Sequence, residues 1–241
     1  MDDSIDGPQG VAYGPSGKLM DVHRPVGDPL GTVLLWHGRA REERDVLAPL
    51  ARQVADLGLL VLVPDWRSDE ADGGWTHLHE SVDFLRGHAA RWGGDPDRAV
   101  LAGWSLGARA ALATVLRPPR RGWHPAAVVA VAGNYLTSHD PRMGPPAIED
   151  LAATEQPPRP VWLVHGTGDA VVGVRSAREF VPALERHGWP VTYAECDSDH
   201  AGVVLAEYDP ALGRCGPAVS ERAVHAGQVT AQIIAKAAAG L

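Results

Sequence analysis

The sequence predicts an α/β protein with a mostly parallel central sheet and helices on both faces, built as one domain spanning residues 1–241. Three observations lead there. Short apolar runs alternate with longer amphipathic stretches, as doubly buried strands and their crossover helices do. The 241 residues contain neither an internal repeat nor a low-complexity linker, which suits one large unit rather than two small ones. Finally, an apolar run enters Gly103-Trp104-Ser105-Leu106-Gly107 and leaves it into a small-residue helical stretch, a strand–turn–helix passage centred on a serine.

The elements follow in order. Leu30–Trp36 is a strand candidate that ends in a His37-Gly38 turn. From Asp45, taken as the N-cap, Val46, Leu47, Leu50, Val54 and Leu57 keep helical spacing, and Gly58 stops the run. Leu59–Val63 shows no alternation, so it reads as a strand buried on both faces. His79–Trp92 is a helix, Arg98–Trp104 a strand and Leu106–Leu116 a helix. Ala127–Ala132 and Val161–Val164 are further buried strands. Val174–His187 is a helix that Pro182 should kink, Val191–Cys196 the last strand and Ser220–Ala239 the last helix. Residues 133–160 break the pattern. They are rich in proline and polar residues, with one short helical stretch at Ala147–Ala153, and leave a strand's carboxyl end. Such an excursion is expected to overhang the ligand crevice as a lid or pocket wall, with Met143 and Ile148 offering apolar contact.

Composition narrows the function classes. A net charge of −8 argues against nucleic acid or anionic membrane as the main partner, since both select basic faces. The acidic start Met1–Asp6 lacks a secretory pattern, and no apolar run approaches a membrane span, so a cytoplasmic protein is expected. Two cysteines, Cys196 and Cys215, with no ligand-spaced His/Cys cluster, indicate two free thiols, no metal and no cofactor.

Acyl transfer by an oxygen nucleophile needs a hydroxyl, a base, a carboxylate to orient the base, and N–H donors for the tetrahedral oxyanion. Ser105 offers the hydroxyl; a Cβ at position 103 or 107 would clash with the adjoining strand and helix. Asp169 follows the strand Val161–Val164 in a loop at its carboxyl end, and His200 follows Val191–Cys196. The gap between them fits one strand–helix–strand unit. Rival acids Asp197 and Asp199 adjoin His200 too closely to meet its imidazole well. His37 and His165, in strand-end His-Gly turns, are expected to bond loop backbone, and His23 to sit on an edge strand. His77, His79, His88, His124, His139, His187 and His225 are expected to be solvated. The oxyanion donors would be the N–H of Leu106 and that of Arg39, with Ala40 as runner-up. Trp66, Trp104, Asn134 and Tyr135, near strand ends, would line a pocket for a small-molecule acyl substrate, and Arg39 and Arg41 could meet a substrate carboxylate.

On these residues the chain resembles the esterase and lipase branch of the α/β-hydrolase superfamily, especially small carboxylesterases related to hormone-sensitive lipase and kynurenine formamidase. Tyr13-Gly14 with Leu19–Pro25 looks like the family's opening strand pair, and His37-Gly38 like its oxyanion loop. Pro64-Asp65-Trp66-Arg67 resembles a segment that is usually Asp-Tyr-Arg. Gly93–Arg98 leading into Gly103-Trp104-Ser105 is the most specific match. The sequence departs from the family at His37-Gly38-Arg39-Ala40, where a glycine-rich loop is usual, and at Leu106-Gly107-Ala108. The resemblance implies an α/β-hydrolase fold with a short lid-like insertion, and a serine hydrolase that cleaves small carboxylic esters. An amidase or peptidase using the same three residues, and a non-catalytic binding module on the same fold, are the alternatives.

Overall fold

A computed structural model describes residues 9–119, 122–138 and 140–240. Its centre is an eight-stranded sheet in the order β1-β2-β4-β3-β5-β6-β7-β8. The strands are β1 (Gln9–Tyr13), β2 (Lys18–His23), β3 (Gly31–Trp36), β4 (Leu59–Pro64), β5 (Val100–Trp104), β6 (Ala127–Val131), β7 (Val161–Gly166) and β8 (Val191–Cys196). β1 and β2 pair antiparallel with each other, and β2 pairs antiparallel with β4. From β4 to β8 every pairing is parallel. The fold is therefore the α/β-hydrolase arrangement expected from the sequence.

Among the described residues six α-helices cover the two faces: α1 (Ala48–Asp56), α2 (Trp75–His88), α3 (Leu106–Leu116), α4 (Ala147–Ala153), α5 (Arg175–Arg186) and α6 (Glu221–Ala239). The absence of alternation in the strands has its cause here. Leu34, Trp36, Leu60 and Leu62 face the core under α2, α3, α4 and α5. Val33, Leu35, Val61 and Val63 face the core under α1 and α6. Each such fully buried aliphatic side chain contributes about 1.5–3 kcal/mol by leaving water. Among the described residues no helix is long and apolar enough to cross a membrane.

Several element boundaries differ from expectation. α1 begins at Ala48, not near Asp45, because Asp45 spends its carboxylate on the Val46 N–H and on Arg214. α2 begins four residues early, where Asp72 accepts the N–H groups of Gly74 and Thr76, and it ends at His88 with a 3-10 turn over Ala89–Trp92. α5 runs on as helix through Pro182. β2 is an interior strand, so His23 is buried between β1 and β4 and does not lie on an edge. A two-stranded hairpin, β9 (Ala206–Asp209) with β10 (Arg214–Pro217), lies between β8 and α6 where no strand was expected.

Candidate active site

The turn after β5 is built by steric necessity. Ser105 has φ 55° and ψ −115°, a conformation that costs a non-glycine residue strain and lifts its side chain off the strand line. A Cβ on Gly103 would run into the backbone of Gly107, and one on Gly107 would lie 2.5 Å from the Trp36 carbonyl oxygen. The two glycines thus let α3 press onto the ends of β5 and β3. The Ser105 N–H donates to the Val131 carbonyl at 2.8 Å, which ties the turn to β6. The hydroxyl-bearing residue is partly exposed.

The loop after β3 closes on the same turn. A Cβ on Gly38 would meet the Trp104 ring at 3.3 Å and the Ser105 Cβ at 3.5 Å, so this loop lies directly against Ser105. His37, wholly buried, orders it: its Nδ1 donates to the Gly38 carbonyl at 3.0 Å, and its Nε2 accepts the Trp66 N–H at 3.1 Å. Burial pushes the His37 imidazole down to about 3, so the ring is neutral and can accept that bond. Ser68 Oγ donates to the Arg39 carbonyl at 2.7 Å. The half-buried Glu43 carboxyl lies in the same loop; burial raises its pKa while Arg214 opposes. Among the described residues the N–H groups of Arg39 and Leu106 have no hydrogen-bond partner. Leu106 opens α3, where the first N–H groups always lack an intrahelical acceptor.

The acid and the base come from neighbouring parallel strands. The His200 Nδ1 donates to Asp169 Oδ2 at 2.7 Å. Asp169 Oδ1 accepts the N–H groups of Val171 at 2.9 Å and Val172 at 2.8 Å. Burial alone would raise the Asp169 carboxyl; hydrogen bonds from His165 and His200 outweigh it and hold the group well below the usual carboxylate range. It is an anion that can only accept, so Nδ1 of His200 is the donor, and in the neutral ring the lone pair lies on Nε2. The two loops are fused: Thr167 N–H donates to the Cys196 carbonyl at 2.8 Å and Gly168 N–H to the Ser198 carbonyl at 2.9 Å. The base reaches the serine's neighbour through Trp104, whose Nε1 donates to the His200 carbonyl at 2.9 Å and whose ring lies 5.2 Å from the imidazole. Asp199 spends its carboxylate on the Ala201 and Gly202 N–H groups, and Asp197 is exposed beside Arg222.

The expected substrate contacts fare unevenly. Trp66 is fully buried; its Nε1 donates to the His37 carbonyl and its ring stacks on His37, so it supports the loop from behind. Tyr135 is also fully buried, stacked on Phe180, with its hydroxyl donating to the Ala130 carbonyl. Both belong to the core because every polar group they carry is satisfied there. Trp104 is nearly buried as the platform under His200. Asn134 is half-buried and shapes its own turn, accepting the N–H groups of Leu136 and Thr137. Met143 is buried in the core beneath α3, not out along a pocket rim. Arg41 pairs with Asp69 at 2.6 Å, whereas Arg39 stays exposed. His77 is buried and accepts the Arg67 N–H, contrary to the solvated reading, and His139 lies outside the described residues. Glu43 and the hairpin β9–β10 escaped sequence reasoning altogether.

Comparison with known proteins agrees with this fold. The sequence model described as the alpha/beta hydrolase family matches residues 33–237. The chain belongs to that family. A curated relative, a probable carboxylic ester hydrolase named LipM from Mycobacterium tuberculosis, is 24% identical over 77% of this chain and 53% of its own length. The chain thus spans about half the length of that relative. Among solved structures, a Thermogutta terrifontis esterase bound to butyrate superposes with a TM-score of 0.75 at 16% identity, covering 96% of this chain and 93% of that one. A putative dienelactone hydrolase from Klebsiella pneumoniae superposes with a TM-score of 0.69 at 18% identity, covering 95% and 98%. At these identities the structures share the fold with this member of the family.

Proposed function

We propose that this α/β-hydrolase is a serine esterase that cleaves small carboxylic esters through an acyl-enzyme on Ser105. The observation that carries the reading is the 2.7 Å bond from His200 Nδ1 to Asp169, with the His200 carbonyl held by Trp104, the residue before a serine in a strained turn. That bond leaves Nε2 as the base. Ser105 Oγ attacks the ester carbonyl carbon while His200 Nε2 takes the hydroxyl proton. The tetrahedral oxyanion is held by the Leu106 and Arg39 N–H groups, with the Ala40 N–H as the alternative to Arg39. Collapse expels the alcohol, which receives the proton from His200, and leaves the acyl group on Ser105. Water, deprotonated by the same imidazole, attacks the acyl carbon and returns the serine. Each oxyanion donor is worth about 3–4 kcal/mol in the transition state. The names of the curated relative and of the solved esterase, with the butyrate in the latter, favour a short acyl ester over an amide.

Nitrophenyl esters from acetate to octanoate test the reading. The wild type should turn over the short members fastest, and Ser105→Ala should lose several orders of magnitude in kcat while melting as the wild type does. Retained turnover in Ser105→Ala would refute it.

A further inference from the structure

The Asp169 carboxylate has a second imidazole against it, which the proposed reaction does not use. His165, four residues earlier and fully buried, sits at the end of β7 with its Nε2 3.4 Å from Asp169 Oδ2, the same oxygen that receives His200. The same Nε2 lies 2.8 Å from the Val172 carbonyl. A nitrogen facing a carbonyl and an ionised carboxylate must carry the hydrogen, because neither neighbour can donate. The other nitrogen, Nδ1, is buried with no hydrogen-bond partner among the described residues. A second proton there would be an unsatisfied buried donor, which costs free energy with nothing in return. The geometry therefore fixes the ring as the Nε2–H tautomer.

Resting on the triad reading above, we infer that His165 is a positioning residue: its Nε2–H, bonded to the Val172 carbonyl and 3.4 Å from Asp169 Oδ2, braces the carboxylate that orients His200. Three hydrogen bonds hold this carboxylate, from the Val171 and Val172 N–H groups to Oδ1 and from His200 to Oδ2; the His165 imidazole lies 3.4 Å from Oδ2, and through it the Val172 unit is gripped at both its N–H and its carbonyl. Removing His165 takes away the second imidazole beside Oδ2 and the donor that holds the Val172 carbonyl. The carboxylate is then free to rotate about its Oδ1 anchor, and the imidazole loses the fixed acceptor that selects its tautomer. The effect should fall on the chemical step, not on substrate binding, since His165 has no exposed surface with which to touch substrate.

The test pairs His165→Phe, which keeps a flat ring without a donor, with His165→Gln, whose amide N–H stands where Nε2–H stood. His165→Phe should lower kcat about ten- to a hundredfold with KM within about twofold, as loss of an outer hydrogen-bond partner does elsewhere. His165→Gln should recover most of that loss. If both variants match the wild type, or both fall equally, the donor is irrelevant and the inference fails. Nitrogen-15 NMR of the unaltered protein supplies a measurement that needs no variant: an Nε2–H tautomer at His165 is expected, and an Nδ1–H tautomer overturns the inference even if His165→Phe does not fold. Fluorophosphonate labelling of the wild type separates the two failures. An unlabelled Ser105 sinks the triad reading, whereas a labelled Ser105 with an unaffected His165→Phe sinks only the role of His165.

Discussion

Two irregular stretches leave the carboxyl edge of the sheet near the site, and they are held in opposite ways. Residues 133–160, after β6, are tied down from inside. Met143, Ala147 and Leu151 are buried, and two arginines reach across, Arg109 from α3 and Arg117 from its C-cap. Arg109 donates to the carbonyls of Gly144 and Pro145, and Arg117 to the Met143 carbonyl and the Asp150 carboxylate. Residues 207–219, the hairpin after β8, are tied down from outside. Tyr208, Leu212 and Val219 are exposed there, and the hairpin meets the loop before α1 through an Arg214–Asp45 pair that is itself half in water. The difference teaches that sequence irregularity does not report how deeply a segment packs. The proline-rich stretch sets its apolar side chains into the core, whereas the strand-like hairpin leaves several of its own in water.

Stability measurements can break that contrast. The largest effect should come from Leu151→Ala, which empties a fully enclosed site and should cost about 2–5 kcal/mol in denaturant unfolding. A cost under about 1 kcal/mol would mean that the stretch is merely draped over the core. Next, Arg109→Met keeps the volume but strands two carbonyls, and should cost about 1–3 kcal/mol. Arg214→Ala should change stability by less than about 1 kcal/mol, since exposed pairs are screened by water. It should nevertheless alter the relative rates on nitrophenyl esters of different chain length, because the pair joins the hairpin to the loop that carries Glu43 and Arg39. An unchanged profile would show that the hairpin is no part of the substrate wall.

Local signals made most of the fold legible. Apolar runs without alternation give strands buried under two helix layers, and α3, α4 and β8 match their expected limits residue for residue. The order Ser105, Asp169, His200 was legible because each follows a strand whose carboxyl end must point the same way in a parallel sheet. The pocket was not. Trp66 and Tyr135 lie at strand ends, as pocket residues do, yet whether an aromatic ring faces ligand or core depends on partners distant in sequence: His37 for one, Phe180 for the other. Glu43 and His165 are invisible for the same reason. Nothing local says that one carboxylate will be half-buried in the loop after β3, or that a second of the eleven histidines will lean on the acid. The start of α2 was missed although Asp72 is an ordinary capping residue, because its two glycine neighbours read as loop.

The rate of fluorophosphonate labelling tests the central claim most directly, because it reads the serine's nucleophilicity without requiring the right substrate. The account predicts one label per chain, on the peptide containing Ser105. It also predicts labelling at least about a hundredfold slower in His200→Ala and markedly slower in Asp169→Asn. A label on any other residue, or labelling of Ser105 at an unchanged rate in His200→Ala, would contradict it.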